Sequence, residues 1–250
     1  MKPPFPYFGG KQRAATKIIE ALPPHELYVE PFAGSLSVLL AKSPVKREVV
    51  NDLDGDLVTF WRVLRDRPEE LAVACELTPH SRAEQRLKVA DSVDDVERAR
   101  LVWLKLTQGR AGTLLSTGWK QSLNSSASMP RYLQGYRERL LPAAERIRNV
   151  SLECLPALDV IALYDRPEAV LYVDPPYLSS TRNSKGYAEE MGARADHVEL
   201  LDVLKSARSR VALSGYSSPL YERELDNWTR REWAATSGEG ARVEILWMNY

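Results

Sequence analysis

Short, nearly continuous apolar runs recur along the chain at Leu27 to Glu30, Glu48 to Val50, Val150 to Glu153, Val170 to Asp174, Arg210 to Ser214, Arg230 to Ala234 and Arg242 to Trp247. Runs this short, rich in valine and leucine, predict strands of a sheet covered on both faces. Between them, apolar positions fall at helical spacing over Lys11 to Leu22, Ser35 to Lys42, Leu57 to Arg65, Ala157 to Tyr164 and Arg194 to Ala207. Such alternation predicts an α/β protein with a Rossmann-like, doubly wound sheet. It stops between Arg67 and Asn149, where Leu71 to Leu77, Ala83 to Val89, Val96 to Leu106 and Tyr132 to Ile147 all read as helices. The expected organisation is therefore a doubly wound part, residues 1–66 and 150–250, carrying a helical insertion, residues 67–149. A polar, glycine- and serine-rich stretch, Gln108 to Met129, interrupts the insertion. Long loops of this kind are more often functional than decorative.

Composition narrows the class. With 250 residues, 44% of them hydrophobic, the chain can bury the core of one large domain or of a domain with a sizeable insertion. Cys75 and Cys154 lie far apart and belong to no CxxC or Cys/His pattern, so no disulfide framework and no metal site are expected, and a reducing, cytoplasmic setting is. Neither a signal-like N-terminus nor a membrane-spanning run is present, so no membrane partner is expected. Formal net charge is zero, but its distribution is uneven. Asp66 to Glu97 holds nine acidic against four basic residues, whereas Arg98 to Arg148 holds ten basic against two acidic. The second block suits a polyanion, although solvated helix faces give the same pattern.

Candidate chemistry sits at the ends of the predicted strands. The run Val170 to Val173 leads into Asp174-Pro175-Pro176-Tyr177, which combines an amine acceptor, a stiff turn and an aromatic face. Those groups suit a flat ring held by its exocyclic amine. Tyr28 to Ser37 reads as strand, glycine turn and helix, with Phe32 and a single Gly34 where a GxGxxG motif has three glycines. It is either a plain strand-to-helix turn or the cradle of a cofactor without a pyrophosphate. About twenty residues on, Asp52 ends the next strand, where a carboxylate accepts both hydroxyls of a ribose or caps a helix; Asp54 and Asp56 are the better caps. Tyr7-Phe8-Gly9-Gly10-Lys11 precedes the first helix without P-loop spacing, so Lys11 is free to meet a carboxylate and Tyr7 a ring.

Taken in this order, Tyr7 to Lys11, Tyr28 to Ser35, Asn51-Asp52, the helical insertion and Asp174 to Tyr177 resemble the S-adenosylmethionine-dependent DNA adenine-N6 methyltransferases of the Dam type, most closely their phage and prophage branch. The resemblance covers nearly the whole chain, including Ser179 to Arg182 and Leu213 to Tyr216. It implies S-adenosyl-L-methionine as cofactor, with Tyr7, Lys11, Asp52 and Asp174 in contact and the turn Glu30, Pro31, Phe32, Gly34 curling round its methionine part. It also implies that Asp174 faces the target base. One departure is Pro156, where related sequences carry an acidic residue, with Asp159 three positions later.

On this reading Asp174 and the Pro175 carbonyl accept the two N6 hydrogens and localise the nitrogen lone pair, Pro176 stiffens the turn, and Tyr177 stacks on the base. A base inside double-stranded DNA reaches such a pocket only by flipping out. The insertion then supplies Arg110, Lys120, Gln121, Asn124 and Arg131 to contact phosphates and base edges, and Trp119 or Tyr132 to fill the gap in the stack. Ser214 and Tyr216 are placed on the pocket wall, and the scattered His25, His80 and His197 are given no catalytic role. Methylation of cytosine N4 or another planar amine, and an inactive DNA-binding relative, are the competing expectations.

Overall fold

The computed structural model describes residues 1–88, 94–115, 117–121, 128–178, 193–237 and 240–250. The strands are β1 Leu27–Glu30, β2 Arg47–Asn51, β3 Ser151–Glu153, β4 Ala169–Val173, β5 Arg210–Gly215, β6 Thr229–Ser237 and β7 Gly240–Met248. They form one sheet in the order β3-β2-β1-β4-β5-β7-β6. The first five run parallel, and β7 enters antiparallel between β5 and β6. Each predicted strand is present, within a residue at its ends for the first five, while β6 and β7 extend up to three residues further at an end.

Successive strand residues face opposite layers, as the pleat requires. Tyr28, Val50, Val170 and Tyr172 belong to one buried cluster, and Val29, Val49, Leu171 and Val173 to the other. Helices α1 Ala15–Ile19, α2 Ser37–Ala41 and α3 Gly55–Asp66 cover the first face; α9 Ala157–Tyr164, α10 Arg194–Ser206 and α11 Pro219–Glu224 cover the second. The doubly wound, Rossmann-like expectation holds.

Between β2 and β3 run α3 and then α4 Pro68–Leu77, α5 Arg82–Gln85, α6 Asp95–Gln108, α7 Met129–Arg137 and α8 Leu140–Ile147. Val102, Trp103 and Leu106 of α6 and Ala143 and Ile147 of α8 pack in the same cluster as Leu57, Phe60 and Trp61 of α3. A buried charge cluster adds a second tie: Glu48 on β2 accepts from Arg146 of α8 at 2.5 and 2.9 Å and from Lys42 at 2.7 Å. The inserted helices thus share the core of one sheet face.

Three of the predicted helical runs depart most from the sequence expectation, and a further helix is unforeseen. The run read as one helix from Tyr132 to Ile147 is two, because Pro142 offers no N–H to the carbonyl of Glu138 and is tolerated only in the first turn of a new helix. Helix α1 covers only Ala15–Ile19, with Lys11 to Ala14 forming a preceding turn. The segment read as Ala83 to Val89 is helical over Arg82–Gln85, and Val89 lies outside the described residues. Helix α11, unforeseen, begins at Ser218, whose hydroxyl accepts from Tyr221 N, followed by Pro219 in the first turn.

Candidate active site

Strand order reverses between β1 and β4, the topological switch point at which ligands of doubly wound sheets bind. Register places Leu27 opposite Ala169 and Val29 opposite Leu171, so the carboxyl ends of the two strands lie side by side. That pairing brings the Glu30 to Gly34 turn next to Asp174.

The turn is held from several directions. Gly34 has φ of +49°, and a Cβ there would sit 3.0 Å from the Tyr7 ring, so any other residue would be strained in its backbone and crowded against that ring. Its N–H donates to Asp52 Oδ2 at 2.9 Å, and its carbonyl accepts from Trp61 Nε1 at 3.0 Å. Asn51 ties three loops together: its amide nitrogen donates to Pro31 O (2.9 Å) and Leu155 O (3.0 Å), and its oxygen accepts from Leu155 N (2.9 Å). Asn51 and Trp61 were missed as positioning residues. In sequence, one reads as the end of a strand and the other as an apolar position on a helix.

Two carboxyls here are displaced by burial. Glu30 accepts from Tyr28 Oη at 2.7 Å and Leu39 N at 2.8 Å, yet removal from water pushes its pKa up to about 8. Asp52 also accepts from Asp54 N at 3.0 Å, and burial raises it to about 6. Asp54 caps α3, accepting from Asp56 N and Leu57 N, whereas Asp56 pairs with Arg98.

Opposite the turn, residues 7–11 carry a buried cation to the end of β4. Lys11 Nζ lies 2.9 Å from Asp174 Oδ1 and 3.3 Å from Glu244 Oε1, and donates to Gly9 O at 2.9 Å. Burial raises the pKa of Asp174, and the Lys11 ammonium opposes that shift. The Tyr177 hydroxyl lies 2.7 Å from Glu244 and 3.3 Å from Asp174, and its ring meets Tyr216 edge-on at 4.5 Å. Ser214 bonds the Tyr172 hydroxyl behind Asp174 at 2.9 Å. Glu244 was not foreseen. A lone glutamate in a late apolar strand gives no signal until strand pairing brings it to the site.

Between these walls lies a cavity of about 650 Å³. Tyr7, Lys11, Glu30, Pro31, Phe32, Gly34, Asp52 and Asp174 all line it, together with Pro176 and with Pro156 and Asp159 at the start of α9. Its donor set is sorted: an ammonium beside carboxyls at one wall, and Asp52 at another.

Residues 7–233 match the family of D12 class N6 adenine-specific DNA methyltransferases. The chain belongs to this family. Two curated relatives agree in kind. Type II methyltransferase M1.LlaDCHI of Lactococcus lactis subsp. cremoris is 28% identical over 99% of this chain and 95% of its own length. Type II methyltransferase M.MjaIII of Methanocaldococcus jannaschii is 25% identical over 76% of this chain and 74% of its own. The protein is thus an adenine-specific DNA methyltransferase.

In this methyltransferase the candidate DNA-contacting residues gather round a closed loop. Gly109 and Trp119 form an antiparallel bridge, with Lys120 N donating to Gln108 O at 2.7 Å and Arg110 N to Gly118 O at 3.2 Å. Trp119 stacks on His80 at 4.4 Å, with the Arg82 guanidinium 4.8 Å from the same ring. Lys120 donates to the Tyr132 hydroxyl at 2.7 Å, and Tyr132 packs edge-on against Tyr136 at 5.0 Å. Arg110, Gln121 and Arg131 are exposed. Asn124 and the Ser179 to Arg182 segment lie outside the described residues. His80, given no role from sequence, supports the tryptophan.

Proposed function

We propose that the protein transfers a methyl group from S-adenosyl-L-methionine to N6 of an adenine flipped out of double-stranded DNA at a specific sequence, as a Dam-type enzyme of the phage and prophage branch. The observation that carries this reading is the meeting of Lys11, Asp174 and Tyr177 at the switch point beside one cavity. The residues fit such a cofactor: Lys11 suits its carboxylate, Asp174 its cationic part, Asp52 the ribose hydroxyls, and Tyr7, Glu30, Pro31, Phe32 and Gly34 complete the walls. Pro156 and Asp159 border the same cavity, and backbone groups there take the place of the acidic contact related sequences have. When bound, the cofactor supplies an electrophilic methyl carbon.

The chain's own work is to make a poor nucleophile attack. Adenine N6 delocalises its lone pair into the ring. Lys11 and Tyr177 both approach Asp174 through Oδ1, and Oδ2 is the acceptor assigned to one N6 hydrogen. The Pro175 carbonyl takes the other, and the fixed φ of the two prolines stiffens the turn that presents it. Two acceptors on one amine localise its lone pair and aim it, which is preorganisation rather than acid–base work. Tyr177 stacks on the flipped base, a contact worth about 1–3 kcal/mol. Residues 67–149 carry target recognition, and residues 1–66 and 150–250 the chemistry. The type II names of the relatives suggest service in restriction-modification.

Expression in a methylation-deficient host, followed by digestion of its DNA to nucleosides and mapping of modified adenines, tests the reading. N6-methyladenine at one sequence is expected, and Asp174→Asn should lower the rate by at least about 100-fold while S-adenosylhomocysteine still binds. Methylcytosine as product, or full activity in the Asn variant, would refute it.

A further inference from the structure

Glu244 is a buried carboxylate on β7, 7% exposed, and the geometry points to a positioning role for it in methyl transfer. The inference deepens the reading above and rests on it. Tyr177 has one hydroxyl proton and two carboxylates within reach, Glu244 at 2.7 Å and Asp174 at 3.3 Å. A single proton serves the nearer and better-placed acceptor. Glu244 therefore takes the Tyr177 hydroxyl, fixes the ring against Tyr216, and keeps that proton from Asp174, which remains an acceptor for the substrate amine.

Backbone pairing makes the arrangement rigid. Ile245 pairs with Gly215 and Leu246 with Ser214 on β5, while Glu244 itself pairs with Trp233 on β6. Glu244 thus stands in β7 directly before Ile245, the first residue paired with β5, and is itself paired with β6, so it cannot drift as a loop residue can. Lys11, 3.3 Å from Glu244 and 2.9 Å from Asp174, bridges the two carboxylates and limits their repulsion. Removing Glu244 turns the Tyr177 hydroxyl toward Asp174 and tilts the base platform. The chemistry slows far more than cofactor binding weakens, because Glu244 does not line the cofactor cavity and Lys11, which does, keeps Asp174 and the Gly9 carbonyl as partners.

The test is a set of four variants, Glu244→Ala, Glu244→Gln, Tyr177→Phe and the double Tyr177→Phe with Glu244→Ala, compared with wild type for kcat, cofactor KM, S-adenosylhomocysteine affinity and thermal stability. Glu244→Ala should lose about 10- to 100-fold in kcat, the usual cost of misplacing a reacting group, with cofactor KM and S-adenosylhomocysteine affinity little changed. Glu244→Gln should recover most of that loss, since its amide oxygen accepts the same hydrogen bond. The double variant should be no slower than Tyr177→Phe alone, because both changes remove one interaction. Wild-type kcat in Glu244→Ala, equal losses in Gln and Ala, additive losses in the double variant, or a loss confined to cofactor KM each overturn the proposal. A wild type that makes no N6-methyladenine overturns the underlying reading as well.

Discussion

Glu30 shows how a single side chain joins stability to the site. One of its oxygens accepts from both Tyr28 and Leu39, bonds that favour the ionised form, but burial outweighs them and moves its pKa from the ordinary 4.5 to about 8. In that window the folded chain keeps a proton that the unfolded chain has released, so stability falls as pH rises from about 5 to about 8. Glu30→Gln preserves both acceptor bonds and has nothing to titrate. Thermal melts should therefore show the variant gaining on wild type as pH rises through this range, by about 2–4 °C for each kcal/mol of relieved penalty. Parallel pH profiles for the two proteins would mean that Glu30 ionises freely. Residues of this kind differ in how far sequence reveals them. Asp174 and Gly34 sit in local strings with meaning of their own, whereas Glu244 joins Tyr177 across 67 positions of chain and acquires its role only through the β5–β7–β6 pairing.

At the scale of elements, residues 3–11 form a strap from the inserted helices to the catalytic end of β4. Trp103 Nε1 donates to Pro4 O at 3.0 Å, Arg139 donates to Pro3 O at 3.1 Å, and Phe5 wedges between Phe60 and Trp61 at 5.0 and 5.2 Å. Phe8 N then donates to Gly112 O at 2.8 Å, so the loop that holds the DNA-contacting candidates touches the turn that delivers Lys11. Gly112 has φ of +61°, and an added Cβ would lie 2.9 Å from Pro6 O. Gly112→Ala should cost about 1–2 kcal/mol from the left-handed backbone alone and should raise cofactor KM by displacing Lys11, as urea unfolding and steady-state kinetics can show. Unchanged KM with lowered stability would restrict the strap to a structural part. None of this contact was legible in the sequence, where the N-terminal segment shows only that it is not signal-like. The central strands β1, β4 and β5 were legible because each is a short apolar run buried on both faces. Helix bounds failed where local chemistry overrode periodicity, at Pro142 and at the Lys11 to Ala14 turn.

Across the whole molecule, the basic block from Arg98 to Arg148 is largely committed to the fold. Arg98 pairs with Asp56, Arg100 with Glu97 and Glu84, Arg146 with Glu48 and Arg148 with Glu145, while Arg137 and Arg139 donate to backbone carbonyls. Arg110 and Arg131 are exposed and, among the described residues, in no ion pair. The charge count from sequence therefore overstates the field offered to a phosphate backbone, because composition cannot separate a guanidinium that closes a helix packing from one that faces solvent. DNA affinity should respond accordingly. Each lost phosphate contact lowers the slope of log affinity against log salt by about 0.9, so Arg110→Ala and Arg131→Ala should each flatten the salt dependence by about one. Arg148→Ala, which removes an exposed charge already paired with Glu145, should leave the slope in place. Equal flattening in all three variants, measured by fluorescence anisotropy on a labelled duplex over a salt series, would show that the block acts as an undifferentiated cloud of charge. Flattening confined to the first two would place the DNA backbone along the loop closed by Gly109 and Trp119, on the side of the molecule that the strap connects to Lys11.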